Sequence, residues 1–394
     1  YLNLFLLRAL VFIEFKSVEE SGMEYRQLPH GGEKISVLGF GTSSIGAAGE
    51  REIEATMTMA LENGINYFDM ASADAAHFLT FGRALAGHRK EVFFQIHFGA
   101  NYERGTYGWT TDLDTIKRSI DWQLNALKTD YIDFGFLHCL DEMGDLQTAM
   151  TGGILDYILQ LKKEGVVHHI GMSSHTLDIV HRALDAGILD MLMFSINPAY
   201  DYTGGTELDY AANNYAVGSA AQRMALYRRC EAEGVGIAVM KAFSAGQLLN
   251  EKTSPFGKAL TEYQCIQYAL DKPGVLTVLP GVRNREDLKR ILGFVHASPE
   301  EKDYSILGSF TPQEADGICV YCNHCQLCPA GLDVGLINKY YDLAQAGDEL
   351  AKNHYANLAK KAGDCIQCGH CDHRCPFHVV QTNRMNEIRA YFSQ

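Results

Sequence analysis

The chain is short of positive charge: 34 Lys and Arg against 48 Asp and Glu leave a formal net charge of −14. That deficit argues against general binding to nucleic-acid or anionic-membrane phosphates, which require a basic face. A run of about 20 apolar residues is also missing, so no membrane-spanning helix is expected. Nor is there a secretory signal. The apolar stretch from Tyr1 to Ile13 is too short to span, carries Arg8 in its middle, and has no basic flank or small-residue cleavage site. A cytoplasmic location is therefore expected. Residues 1–22 read as a leader or an over-extended gene start, with an amphipathic surface anchor as the alternative, and Met23 opens a coherent strand, turn and strand. The remainder is ordinary globular composition, 47% apolar and 21% charged, spread over 394 residues. That exceeds the roughly 250–300 residues one core supports, which predicts two domains or a large barrel with an appendage.

Eight runs of strand length are rich in β-branched or aromatic residues. They start near Ile35, Asn66, Val92, Tyr131, His168, Met191, Gly236 and Val275. Helical patterns separate them. In the segment after Thr111, Leu113, Ile116, Ile120, Leu124 and Leu127 recur at three and four residues and form one apolar face. Asp112 supplies an N-cap, and several helices stop at glycine, at Gly64, Gly165, Gly187 and Gly234. The alternation predicts an α/β fold, a (β/α)8 barrel over 23–300, with a doubly wound open sheet as runner-up. Barrel sites lie at the C-terminal ends of the strands. The polar residues there are Asp69, His97, His138, Ser173, Ser174, His175, Asn197, Lys241 and Arg283. Tyr102, Tyr107, Trp109, Tyr200 and Tyr202 suggest an aromatic lid, or surface packing.

Cysteine, by contrast, is concentrated. Eight of the eleven fall in two runs near the end: Cys319, Cys322, Cys325 and Cys328, then Cys365, Cys368, Cys371 and Cys375, each run followed by proline. The second run matches the bacterial ferredoxin spacing for a [4Fe–4S] cluster, in which the fourth cysteine serves the neighbouring cluster. This assigns Cys319, Cys322, Cys325 and Cys375 to one cluster and Cys365, Cys368, Cys371 and Cys328 to the other. The first run departs by one residue before its last cysteine. Paired four-thiolate zinc sites suit the even spacing poorly, and a disulfide framework lacks its secretory context. The segment between the runs is helical in pattern, so residues 301–394 are expected to form an α-helical ferredoxin-like domain holding two clusters. Cys139, Cys230 and Cys265 stand apart and read as small buried hydrophobes, although Cys139 follows His138 and is able to reach the mouth.

The segments NYFDMA, YIDFGFLH, HHIGMSSH, INP, VMKAF and VLPGVRN, in that order, resemble the aldo/keto reductase superfamily, in the branch that carries C-terminal clusters. The resemblance implies a (β/α)8 barrel and hydride transfer from NADPH to a carbonyl. It matches the family aspartate to Asp69 and the family histidine to His138. The family lysine falls at His97, and the family tyrosine has no match after Asp69; Lys241 stands as a replacement lysine or a partner of Asp69. Ser173, Asn197, Gly281, Arg283 and Asn284 are the implied cofactor contacts, and Arg283, Arg285, Lys289 and Arg290 read equally as a solvated basic face.

Three functions follow from this reading. The leading one is an oxidoreductase that passes electrons through two [4Fe–4S] clusters to a small-molecule substrate at the barrel mouth, with a redox partner protein. The second keeps NAD(P)H and uses His97 as general acid in carbonyl reduction. The third is a non-catalytic barrel serving as an electron-transfer partner.

Overall fold

In a computed structural model that describes residues 22–202, 219–309, 317–319, 321, 325, 328–345, 349–375 and 377–393, the strands follow one another as the sequence rhythm requires. They are β1 (Tyr25–Gln27), β2 (Lys34–Ser36), β3 (Phe40–Gly41), β4 (Tyr67–Asp69), β5 (Phe93–Phe98) and β6 (Ala100–Asn101). After them come β7 (Gly108–Trp109), β8 (Ile132–Leu137), β9 (Val167–Ser173), β10 (Met191–Ser195), β11 (Gly236–Met240) and β12 (Val275–Val278). Strands β3, β4, β5, β8, β9, β10, β11 and β12 pair in that order, all parallel. Parallel bridges from Leu38 to Val278 and from Gly41 to Gly281 join the last strand to the first. The sheet is thus closed, and the doubly wound alternative is excluded.

The first expected strand divides in two. Lys34–Ser36 pairs antiparallel with Tyr25–Gln27, and only beyond Val37 does the chain enter the barrel wall. Gly39 permits the close passage there, since a Cβ would lie 2.5 Å from the Leu279 side chain. The β1–β2 hairpin carries Leu28 and Ile35 into the barrel, where both are fully buried against Tyr67, Phe134 and Met191. Each such side chain contributes roughly 1.5–3 kcal/mol by leaving water. The hairpin therefore plugs the N-terminal end.

Strand periodicity then decides what the interior holds. Successive side chains alternate between faces, so Tyr67 and Asp69, Gln95 and His97, and Phe134 and Phe136 point inward, while Phe94, Ile96 and Phe98 face the helices. Moving from the plug to the open end, the inner wall changes from apolar to polar. The surrounding helices are set by their ends. In Leu113–Leu127 the Asp112 carboxylate accepts the Thr115 N–H at 2.9 Å, and the glycines expected to stop helices, Gly64, Gly165, Gly187 and Gly234, all take positive φ of 63–84°.

At the plugged end, Asp190 accepts hydrogen bonds from the Lys162 ammonium at 2.8 Å and from the Ile170 N–H at 2.9 Å, and His169 contacts Glu33 at 2.9 Å. Beyond the barrel the described tail is helical, with helices Val334–Gln345, Glu349–Ala356, His370–Arg374 and Gln381–Phe392. It is fastened to the helix Ala220–Ala232 by Arg228, which donates to Asp342 and to the Tyr321 hydroxyl, both at 2.7 Å, while Arg384 pairs with the other Asp342 oxygen. The expected leader, apart from Gly22, and Cys322 lie outside the described residues. Among the described residues no helix is long and apolar enough to cross a membrane.

Candidate active site

Three of the strand-end residues come together at the open end of the barrel. Asp69 ends β4, His97 lies near the end of β5, and His138 follows β8 directly. His97 Nε2 lies 2.6 Å from Asp69 Oδ1, and His97 Nδ1 lies 3.0 Å from His138 Nδ1. The line continues outward to the Tyr107 hydroxyl, 2.8 Å from His138 Nε2. Behind it, the Gln95 amide donates to Asp69 at 3.1 Å and accepts the Tyr67 hydroxyl at 2.5 Å.

With both imidazoles neutral, donor and acceptor counting admits one tautomer for each. A carboxylate at Asp69 requires His97 to carry its proton on Nε2, so that neutral His97 accepts at Nδ1. His138 then carries its proton on Nδ1 and accepts the Tyr107 proton at Nε2. Every hydrogen bond in the line points inward, from Tyr107 to Asp69. Burial, and after it the neighbouring His97 and His175, hold His138 well below the usual imidazole range. Tyr107 is 44% exposed, yet desolvation of its hydroxyl end raises that group to about 12.

The expected pairing of Asp69 with Lys241 is replaced by these contacts from His97 and Gln95. Lys241, just after β11, has a left-handed backbone (φ 61°) and stands near Cys139; burial lowers its pKa. Asn197 receives the Tyr200 N–H and donates to the Lys241 carbonyl at 2.8 Å, anchoring that turn. Ser173 accepts the Cys139 N–H at 2.8 Å and lies 3.5 Å from His138 Nδ1. Gly281 faces Gly41 across the closing bridge. The other two implied cofactor contacts work locally: Asn284 caps the helix Arg285–Leu292, and Arg283 is held by Asp287 at 2.6 Å. Arg285 pairs with Glu52 and Arg290 with Asp287 and Glu262, so the basic face is a set of helix-surface ion pairs.

The aromatic lid is narrower than expected. Tyr200 and Tyr202 are buried, and Tyr102 packs between Phe78 and Trp122. Tyr107 and Trp109 remain at the rim, the Trp109 indole donating to the His138 carbonyl at 3.0 Å. Gln95 and Asp141 escaped the sequence reading. Only the inward parity of Gln95, two residues before His97, signals it.

Asp141 organises a second polar group beside the first. Its Oδ1 accepts the His175 N–H at 2.6 Å and the Ser174 hydroxyl at 3.1 Å. Its Oδ2 lies 3.0 Å from His175 Nδ1 and 3.5 Å from Cys139 Sγ.

A model of the aldo/keto reductase family matches residues 37–262. L-galactose dehydrogenase of Arabidopsis thaliana is 31% identical over 184 residues, 43% of this chain and 56% of that protein, so the chain spans about half the length of this relative. The uncharacterized oxidoreductase YqkF of Bacillus subtilis is 25% identical over 310 residues, 74% of this chain and 98% of its own. Among solved structures, the holo form of AKR11C1 from Bacillus halodurans aligns with a TM-score of 0.58 at 22% identity, covering 74% of this chain and 97% of that one. A Klebsiella pneumoniae aldo/keto reductase in complex with NADP and acetate gives 0.51 at 17% identity, covering 74% and 96%.

Proposed function

The chain belongs to the aldo/keto reductase family, and from that premise we propose that it is an oxidoreductase in which the line from Tyr107 to Asp69 handles the proton of a small substrate while two [4Fe–4S] clusters in the tail handle its electrons. The observation that carries the reading is the unbroken series of hydrogen-bond contacts through His138 and His97. It ends in a buried carboxylate and begins at a half-exposed phenol, the geometry required of a group that exchanges a proton with a bound molecule. Tyr107 thereby occupies the chemical role of the tyrosine missing after Asp69. It arrives from the β6–β7 loop instead of the β4 loop.

The residues of the tail suit the clusters. Cys328, Cys365, Cys368 and Cys371 line one small cavity, the set expected from two crossed runs, and Cys319 senses Cys375, its expected companion. Cys319, Cys328, Cys365, Cys368, Cys371 and Cys375 are free thiols. Clusters, when bound, supply or accept electrons singly. In a one-electron reduction step the Tyr107 hydroxyl gives one proton to the substrate oxygen, and solvent at the rim restores it. In oxidation Tyr107 takes the substrate proton and passes its own to His138 Nε2, His138 passes one to His97, and His97 passes one to Asp69. Ser173 and Asn197 hold the backbone of Cys139 and Lys241 in place around that path.

A second reading, with NAD(P)H as the electron source, draws support from the NADP in the Klebsiella relative and from Gly281 at the rim beside Ser44. Anaerobic purification with iron and sulfide counting separates the two. About eight of each per chain, bleached by a low-potential reductant and unaffected by NADPH, is the expected result. Absence of iron together with tight NADPH binding establishes the second reading instead, and absence of both leaves the non-catalytic partner role.

A further inference from the structure

The group formed by Cys139, Asp141 and His175 is more specific than a loop anchor needs to be. One sulfur, one oxygen and one nitrogen, all within 4.8 Å of one another, come from the segments following β8 and ending β9. Two edges of the triangle are informative. Zinc bonds of about 2.3 Å to sulfur and about 2.0 Å to oxygen or nitrogen, at the tetrahedral angle, separate sulfur from oxygen by about 3.5 Å and nitrogen from oxygen by about 3.3 Å. The separations here are 3.5 Å between Cys139 Sγ and Asp141 Oδ2, and 3.0 Å between His175 Nδ1 and the same oxygen.

The supporting contacts have the form of an outer shell. Asp141 spends Oδ1 on the His175 N–H and the Ser174 hydroxyl, which turns Oδ2 toward the sulfur and the imidazole. The Ser173 hydroxyl fixes the Cys139 N–H. Cys139 itself has φ of 50°, a conformation that costs a non-glycine residue energy and that aims its side chain toward Asp141. The charges also balance: a thiolate and a carboxylate together offset one divalent cation, so no net charge is left in a half-buried site. Three protein ligands leave one of four positions open, as in zinc sites that bind a water or a substrate oxygen.

We propose that Cys139, Asp141 and His175 form a zinc site at the barrel mouth, with its fourth position available to an oxygen ligand. The site is independent of the tail, since none of its ligands lies there, and it stands whether or not the tail carries clusters.

The test uses the full chain, zinc as the probe, and two readouts. Dialysis against zinc followed by metal counting should give one equivalent fewer in Cys139→Ser and in Asp141→Asn than in the native protein. Ser174→Ala keeps all three ligands and guards against a folding defect; its affinity for that equivalent should fall at least about 10-fold. Alkylation mapped by peptide mass should find Cys139 protected by zinc and modified again after chelation. Equal zinc uptake by the native protein and Cys139→Ser overturns the proposal, as does protection confined to tail cysteines.

Discussion

Tyr107 and His138 share a single hydrogen bond, and the two side chains fail in different ways when removed. Tyr107→Phe keeps the ring at the rim and deletes only the exchangeable proton. The expected outcome is a rate lower by about 10²–10⁴ with little change in KM, measured by steady-state kinetics on the substrate once one is found. His138→Ala also cuts the line from both sides and should abolish turnover while leaving the far-UV circular dichroism of the barrel untouched; retained turnover rules the line out as the proton path. At this scale the sequence was legible where a residue sat in a strand of recognisable pattern, as with Asp69, His97 and His138. Tyr107 was visible only as an aromatic in a long loop, because the β6–β7 turn that delivers its hydroxyl is a tertiary arrangement. Arg283 and Asn284 have local partners that their types alone do not reveal: Asp287 holds the Arg283 guanidinium, and the Asn284 side chain caps the next helix.

Among the elements, the β1–β2 hairpin bears most on the barrel. It is small, yet Leu28 and Ile35 close one end of the inner core. Leu28→Ala should cost about 2–5 kcal/mol, read from the midpoint of denaturant unfolding, because it removes a fully buried side chain and leaves a cavity among Ile35, Tyr67 and Phe134. A loss below about 1 kcal/mol would show that the plug collapses onto the gap. The helices were legible almost entirely, since their caps and stop glycines act locally. The first barrel strand was not: the run from Ile35 reads as one strand, and its division between hairpin and wall depends on Leu279, after the last barrel strand, approaching Gly39.

For the molecule as a whole, acid stability depends on the plugged end. Burial opposes the charge on Asp190, but hydrogen bonds from His169, Lys162 and the Ile170 N–H outweigh it and hold the group at about 2. A carboxylate depressed on folding stabilises above its unfolded pKa near 3.9, and the contribution is lost as pH falls toward 2. The amount is about 2 kcal/mol. His169 runs the other way. Burial works against its charge, but Asp190 and Glu33 raise it above the ordinary value, so its share is complete below about 6.5 and fades as pH climbs through the raised value. Thermal melts from pH 2 to 8 should show Asp190→Asn less stable at pH 6 and flatter between pH 4 and 2 than the native protein. The tail depends on a different anchor: Asp342, 5% exposed, is shared by Arg228 and Arg384, and Asp342→Ala should destabilise by about 3–5 kcal/mol because two cations lose their counterion.

The hairpin plug also sets the traffic of the molecule. Among the described residues the base is closed, so a molecule held at the inner histidines would leave by the mouth it entered, past Tyr107 and Trp109.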